Sequence, residues 1–155
     1  MYEYDDFFKS ILYKLKGCGD LEIAPSFLDY HRLFLRIKYF GYRVIPAPSY
    51  AQHDQTRGFN HVEEIFKSLR LPIIKAIVKT ADVKQADLNR ADRESIAHYL
   101  QWDEQFIINN KRILLVDDVM TTGATLRGCL ALIKEKRPRK VEILVLSRVQ
   151  NEAKR

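Results

Sequence analysis

The run Lys111-Arg-Ile-Leu-Leu-Val-Asp-Asp-Val-Met-Thr-Thr-Gly-Ala-Thr125 sets the architecture expected of this chain. Ile113, Leu114, Leu115 and Val116 are continuously apolar, as suits a strand buried on both faces of a parallel sheet. Asp117 and Asp118 stand at its C-terminal end. Thr121, Thr122 and Gly123 form a small polar turn, and beyond it Leu126, Cys129, Leu130 and Ile133 recur with the spacing of one helix face. Strand, acidic pair, hydroxyl-and-glycine turn and helix are the layout of a phosphate site. N–H groups in the first turn of a helix lack intrahelical partners and carry partial positive charge, so they attract a dianion. Gly123 permits close backbone approach, and the hydroxyls of Thr121, Thr122 and Thr125 add donors. Two carboxylates repel a phosphate, so they suit the sugar hydroxyls beside it, or a cation. The implied ligand is a sugar phosphate. An ordinary buried strand with an acidic helix entry explains the apolar run, but not the paired aspartates with the threonine–glycine turn.

Outward from this run, the 155 residues fit one domain, with a helical part over 1–41 and an α/β core over 42–150 that holds the motif at 113–125. Phe7, Phe8, Ile11, Leu12 and Leu15 predict a first helix stopped by Gly17 and Gly19. Ile23, Phe27, Tyr30, Phe34 and Ile37 predict one face of a second helix, with Pro25 near its start and Gly41 at its end. Arg43 to Pro48 is expected to be the first central strand. Phe59, Val62, Ile65, Phe66 and Leu69 mark a third helix stopped by Pro72, and Ile73 to Val78 a second strand that completes a βαβ unit. Val141 to Leu146 is a further strand. The expected fold is α/β, a mainly parallel twisted sheet with helices on both faces. Lys79 to Arg93 has no apolar period and suggests either a functional lid or a disordered excursion, while Trp102 and Phe106 suggest a short edge hairpin.

No apolar run reaches the length of a membrane span, and the acidic start Glu3, Asp5, Asp6 is unlike a signal peptide. Cys18 and Cys129 form no Cys-x-x-Cys pair, so a cytoplasmic, reduced protein without a structural metal is expected. The formal charge is +6, concentrated in Lys134, Lys136, Arg137, Arg139 and Lys140. That cluster suits either a solvated helix C-terminus or a nucleic-acid patch.

Val116-Asp-Asp-Val-Met-Thr-Thr-Gly-Ala-Thr125 resembles the phosphoribosyl-pyrophosphate (PRPP) signature of type I phosphoribosyltransferases. The resemblance implies that Asp117 and Asp118, placed at the catalytic centre, meet the ribose hydroxyls. It implies also that Thr121, Thr122, Gly123, Ala124 and Thr125 wrap the 5′-phosphate. Mg²⁺ enters with PRPP, without direct protein ligands. Leu15-Lys-Gly-Cys-Gly-Asp20, Ile45-Pro-Ala-Pro-Ser49 with Arg57-Gly-Phe-Asn-His61, and Gln85 through Arg93 resemble the ComF family, a competence branch of the same superfamily. This second resemblance implies a phosphoribosyltransferase-like protein of DNA uptake whose acceptor the residues do not specify. The alternative is a non-catalytic PRPP sensor that handles single-stranded DNA, and a DNA-uptake helicase is a further implied partner. Pyrophosphate needs donors at the C-terminal ends of neighbouring strands, for which Ala47, Ser49, Arg57 and Lys79 are the candidates. His53 and His61 have no evident partner, so surface or structural roles are expected. The four-cysteine zinc module that ComF members often carry has no match here, so zinc is not expected. Ser95 stands where the family tends to have Asn and receives no role.

Overall fold

Asp5 accepts a hydrogen bond from the Phe8 N–H at 2.7 Å and so starts α1, Asp6–Cys18. Phe8, Leu12 and Leu15 bury one face of it, and Gly19, at φ 71°, ends it in the left-handed conformation that glycine tolerates. Gly17 lies inside the helix rather than at its end. The computed structural model describes residues 1–49, 58–80 and 99–149.

The expected single second helix is two pieces, a 3₁₀ helix over Leu21–Phe27 and α2 over Arg32–Lys38. The chain turns between them, so the phase of the apolar pattern shifts. Ala24, Phe27, Leu28, Leu35 and Tyr39 are buried, whereas Tyr30, Phe34 and Ile37 of the expected face are exposed. The apolar period runs across a break that Pro25 and the Leu28–Tyr30 turn introduce.

β1, Tyr42–Pro46, and β5, Lys140–Arg148, flank β4, Arg112–Met120, in a three-stranded parallel sheet of order β1–β4–β5. Val44 faces Leu114 and Leu114 faces Glu142 in register. Ile113, Leu114, Leu115 and Val116 are all 0% exposed, as the continuous apolar run required. Each such aliphatic side chain stabilises the fold by roughly 1.5–3 kcal/mol. Leu114 and Val116 pack with α1 and with α3, His61–Lys67; Ile113 and Leu115 pack with α4, Ala124–Glu135. Helices therefore cover both faces.

The strand expected over Ile73 to Val78 differs. Ile73 makes a single parallel bridge with Val44, supported by Ile74 N–H to Val44 O at 2.9 Å. Pro72 has no N–H to extend that ladder, and Lys75 turns out to pair with Glu63 of α3 at 2.7 Å. The chain then enters β2, Ile77–Lys79, which pairs antiparallel with β3, Leu100–Trp102. The short edge hairpin expected around Trp102 and Phe106 is thus corrected: β3 pairs with β2, from a distant part of the chain, rather than with a neighbouring strand. On the far edge, Tyr2 bridges Ser147 of β5. Residues 81–98, with nearly all of the expected lid, lie outside the described residues. No described helix is long and apolar enough to cross a membrane.

Candidate functional site

The C-terminal ends of β1, β4 and β5 share one edge of the sheet, where ligands of open α/β folds bind. β4 ends at Met120, whose carbonyl accepts the Val149 N–H at 3.0 Å. Thr121 and Thr122 are exposed, and Gly123, at φ 72°, precedes the first residue of α4. A Cβ on Gly123 would meet Met120 Sδ and Arg127 Nη1 at 3.5 Å, an ordinary contact, so backbone angle rather than space selects glycine. Arg127 Nη1 donates to the Thr122 carbonyl at 2.9 Å and holds the turn. The hollow between the turn, α4 and Asp117 is only about 20 Å³, the room of one water. A larger hollow of about 220 Å³ adjoins it, lined by Thr121, Thr122, Gly123, Arg127 and Arg148. Two cations, Arg127 and Arg148, therefore stand on the outer side of the turn.

The two aspartates face opposite ways, because successive side chains of a strand alternate. Asp117 belongs with Ile113 and Leu115 on the α4 side and lines the hollow. Burial, and then the neighbouring Asp118 charge, push its carboxyl above the usual range. Asp118 belongs with Leu114 and Val116 on the opposite face and is 5% exposed. Its Oδ2 meets Lys16 Nζ from the last turn of α1 and His61 Nε2, at 3.2 Å, from the start of α3. Its Oδ1 accepts the Val119 N–H at 2.6 Å. Burial works against the Asp118 charge, but the His61 hydrogen bond and the Lys16 charge outweigh it and hold the carboxyl below the usual range. Asp118, expected with Asp117 to meet the ribose hydroxyls, is thus turned from the hollow and engaged with Lys16 and His61.

Sequence reasoning missed Lys16 and His61 as partners. His61 had a signal: it lies four residues before Ile65 on the buried face of α3. Lys16 had none, since only the fold brings α1 to β4.

Across β1, Ser49 and Lys79 line a cleft of about 440 Å³ together with Gly58, Asn60 and Lys75. Asn60 caps α3 by accepting the Glu63 N–H at 3.0 Å, and its Nδ2 donates to Ser49 Oγ at 2.9 Å. Ala47 does not join them: it is 4% exposed, and its N–H is spent on the Val116 carbonyl at 2.7 Å. Arg57 and His53 lie outside the described residues. Cys129 is buried, and burial followed by the Asp117 charge pushes its thiol up to about 12, which removes it as a nucleophile.

Among the described residues no group of three or more acidic, His or Cys side chains could hold a metal ion. With Asp118 engaged, Asp117 is the carboxylate at the hollow. That donor set fits Mg²⁺ carried on substrate phosphates and waters, not a protein cage.

A parallel sheet with a strand–Asp–Asp–turn–helix edge defines a phosphoribosyltransferase-like α/β domain. Residues 55–155 match the phosphoribosyl transferase domain family. The chain is 27% identical to competence protein ComFC of Bacillus subtilis over 140 residues, covering 88% of this chain and 57% of that protein. It is 26% identical to competence protein ComFC of Streptococcus pneumoniae over 153 residues, covering 96% and 66%. The chain thus spans less than two thirds of the length of these relatives. A hypoxanthine-guanine phosphoribosyltransferase structure from Bacillus anthracis superposes with a TM-score of 0.55 at 13% identity, covering 88% of this chain and 75% of that one, which shows the fold alone. The chain belongs to the phosphoribosyl transferase domain family and is ComF-like within it.

Proposed function

We propose that the protein binds PRPP at the β4–α4 edge and transfers its phosphoribosyl group to an acceptor, as a ComF-type competence protein. One observation carries this reading: Asp117 and the Thr121–Thr125 turn share a hollow at the C-terminal edge of a parallel sheet. In the proposed complex the turn and the first N–H groups of α4 hold the 5′-phosphate. Asp117 accepts from a ribose hydroxyl, while Asp118 anchors the strand end and reaches the diol only by exchanging Lys16 or His61. Ser49 and Lys79 face the pyrophosphate from the neighbouring cleft, with Arg57 assigned there by resemblance. Mg²⁺ bound with PRPP neutralises charge on the departing pyrophosphate. The chain's own groups hold the ribose and orient its anomeric carbon towards the acceptor.

The test is calorimetric titration with PRPP and Mg²⁺, followed by pyrophosphate release across a panel of bases. Binding with no release for any base supports the non-catalytic sensor instead. Gly123→Val is expected to lower PRPP affinity at least about tenfold, because valine strains a backbone at φ 72°. Affinity equal to wild type in that variant counts against the turn as the phosphate site.

A second function has its own observation. Lys111, Arg112, Lys134, Arg137 and Arg139 are exposed together at the opposite, N-terminal edge of the sheet. The Arg139 N–H to Lys111 O bond, at 2.8 Å, ties that rim together. A basic rim away from the phosphate site suits single-stranded DNA held by its backbone. Arg137→Ala with Arg139→Ala is expected to lower the slope of log affinity against log salt by roughly 0.7 per residue removed. PRPP binding should not change. A slope unaltered by the pair, in a salt-titrated anisotropy assay, removes the rim from DNA handling.

A further inference from the structure

α2 is apolar on two opposite faces. Leu35 and, just beyond the helix, Tyr39 are 4% and 3% exposed and join the core, while Leu33, Phe34 and Ile37 on the outer face are 71%, 63% and 69% exposed. Tyr30 and Phe40, at 89% and 81%, extend that outer face before and after the helix along the same helical spacing. A helix with an apolar outer face as well as an inner one is normally covered on both. At these exposures the five side chains present roughly 600–800 Å², near the roughly 800 Å² that one partner contributes to a standard interface. Basic seams separate the two faces: Arg32 and Arg36 run along one flank, and Lys38 lies on the other, its Nζ 6.0 Å from the Phe34 ring centre.

We propose that the outer face of α2 is the docking site for an amphipathic helix with acidic flanks, contributed by a partner protein. Charge complementarity chooses this occupant. A two-fold pairing of α2 with its own copy sets the Arg32–Arg36 flank against the same flank when the helices run antiparallel, or against the Lys38 flank when they run parallel, and both arrangements are repulsive. Glutamate or aspartate on both flanks of an incoming helix instead meets Arg36 on one side and Lys38 on the other. A lipid surface is served less well. The face is roughly 16 Å long, and its cations fall short of the roughly 4–8 that recognise anionic headgroups. One of them, Arg32, is already paired with Asp29 at 3.1 Å.

The probe is a designed peptide of about four turns with leucines at i, i+3, i+4 and i+7, made with glutamate on both flanks or with lysine on both. Fluorescence anisotropy with the whole chain is expected to show micromolar binding of the glutamate peptide and binding at least about tenfold weaker for the lysine peptide. Leu33→Ser with Phe34→Ser should weaken the glutamate peptide about tenfold or more without lowering the melting temperature, since these side chains face outward. Arg36→Glu with Lys38→Glu should reverse the preference between the two peptides, which general damage to the fold does not do. Indifference to flank charge, or no binding at about millimolar peptide, overturns the proposal. So does a sedimentation dimer dissolved by Phe34→Ser, which assigns the face to a second copy. Binding to phosphatidylserine vesicles lost in the same variant, without peptide binding, overturns it in favour of a lipid surface.

Discussion

Asp118→Asn is expected to lower the melting temperature by about 4–12 °C, although the residue sits inside the proposed PRPP motif. Asp118 is 5% exposed and meets both Lys16 and His61. Removing one charge of a buried pair typically costs about 3–5 kcal/mol. The Lys16 side chain retains 32% exposure and can rehydrate, so we expect about 2–3 kcal/mol here. At roughly 2–4 °C per kcal/mol for a domain of this size, that gives the stated shift. The pH dependence has a definite sign. The folded-state pKa of Asp118 lies below its ordinary 3.8. Its contribution is therefore complete above the unfolded value and is lost as pH falls through the folded one. Wild type should lose stability across that acid window, and Asp118→Asn should lose less of it. A cycle of Asp118→Asn with Lys16→Met, followed by thermal melts, measures the coupling, expected at about 1 kcal/mol or more. Melting temperatures equal to wild type, with no coupling, would show that the α1–β4–α3 contact contributes nothing to the fold.

The contrast between the aspartates marks what a sequence can disclose. The run Ile113–Val116, the turn at Gly123 and the apolar face of α4 were all legible, because burial on both faces, a positive φ and a 3.6-residue period each leave a local signature. The acidic pair was legible as a pair. Its division was not, since the alternation that separates Asp117 from Asp118 matters only once α1 and α3 are known to cover one face. Lys16 is remote in sequence from Asp118, and no local pattern joins them. α2 failed for a different reason. Tyr30, Phe34 and Ile37 do share a helical face, but it is the outer one, and periodicity reports a shared face without saying what covers it. Ile73–Val78 failed because an apolar run does not choose its partner strand: Pro72 and Lys75 limited its ladder with β1 to one bridge and left β2 to pair with β3.

Asp117→Asn is expected to do the opposite of Asp118→Asn: to stabilise the unliganded protein while weakening PRPP about tenfold or more. Burial and then the Asp118 charge raise the Asp117 pKa in the folded state. A carboxyl raised in this way costs stability progressively as pH rises from its ordinary 3.8 to the folded value. Above that value the whole cost persists. Asn carries no such cost, so the unliganded variant should melt above wild type at neutral and alkaline pH. The difference should vanish below the ordinary value. Affinity moves the other way, because an ionised carboxylate accepting from a sugar hydroxyl is a charge-assisted contact of about 1.5–3 kcal/mol, or roughly tenfold to a hundredfold in dissociation constant. The proposed complex needs Asp117 ionised, so wild-type binding should release a proton and strengthen as pH rises through the raised pKa. Asp117→Asn binding should be flat over the same range. Calorimetric titration with PRPP and Mg²⁺ in two buffers of different ionisation enthalpy measures the affinity and the released proton together. A well-folded Asp117→Asn that binds PRPP as tightly as wild type would sink the ribose assignment. Weaker binding without proton release would keep Asp117 at the site but remove its charge from the account. The full pattern, a more stable protein that binds less well, is the one expected of a carboxylate held at an unfavourable position for the sake of its ligand.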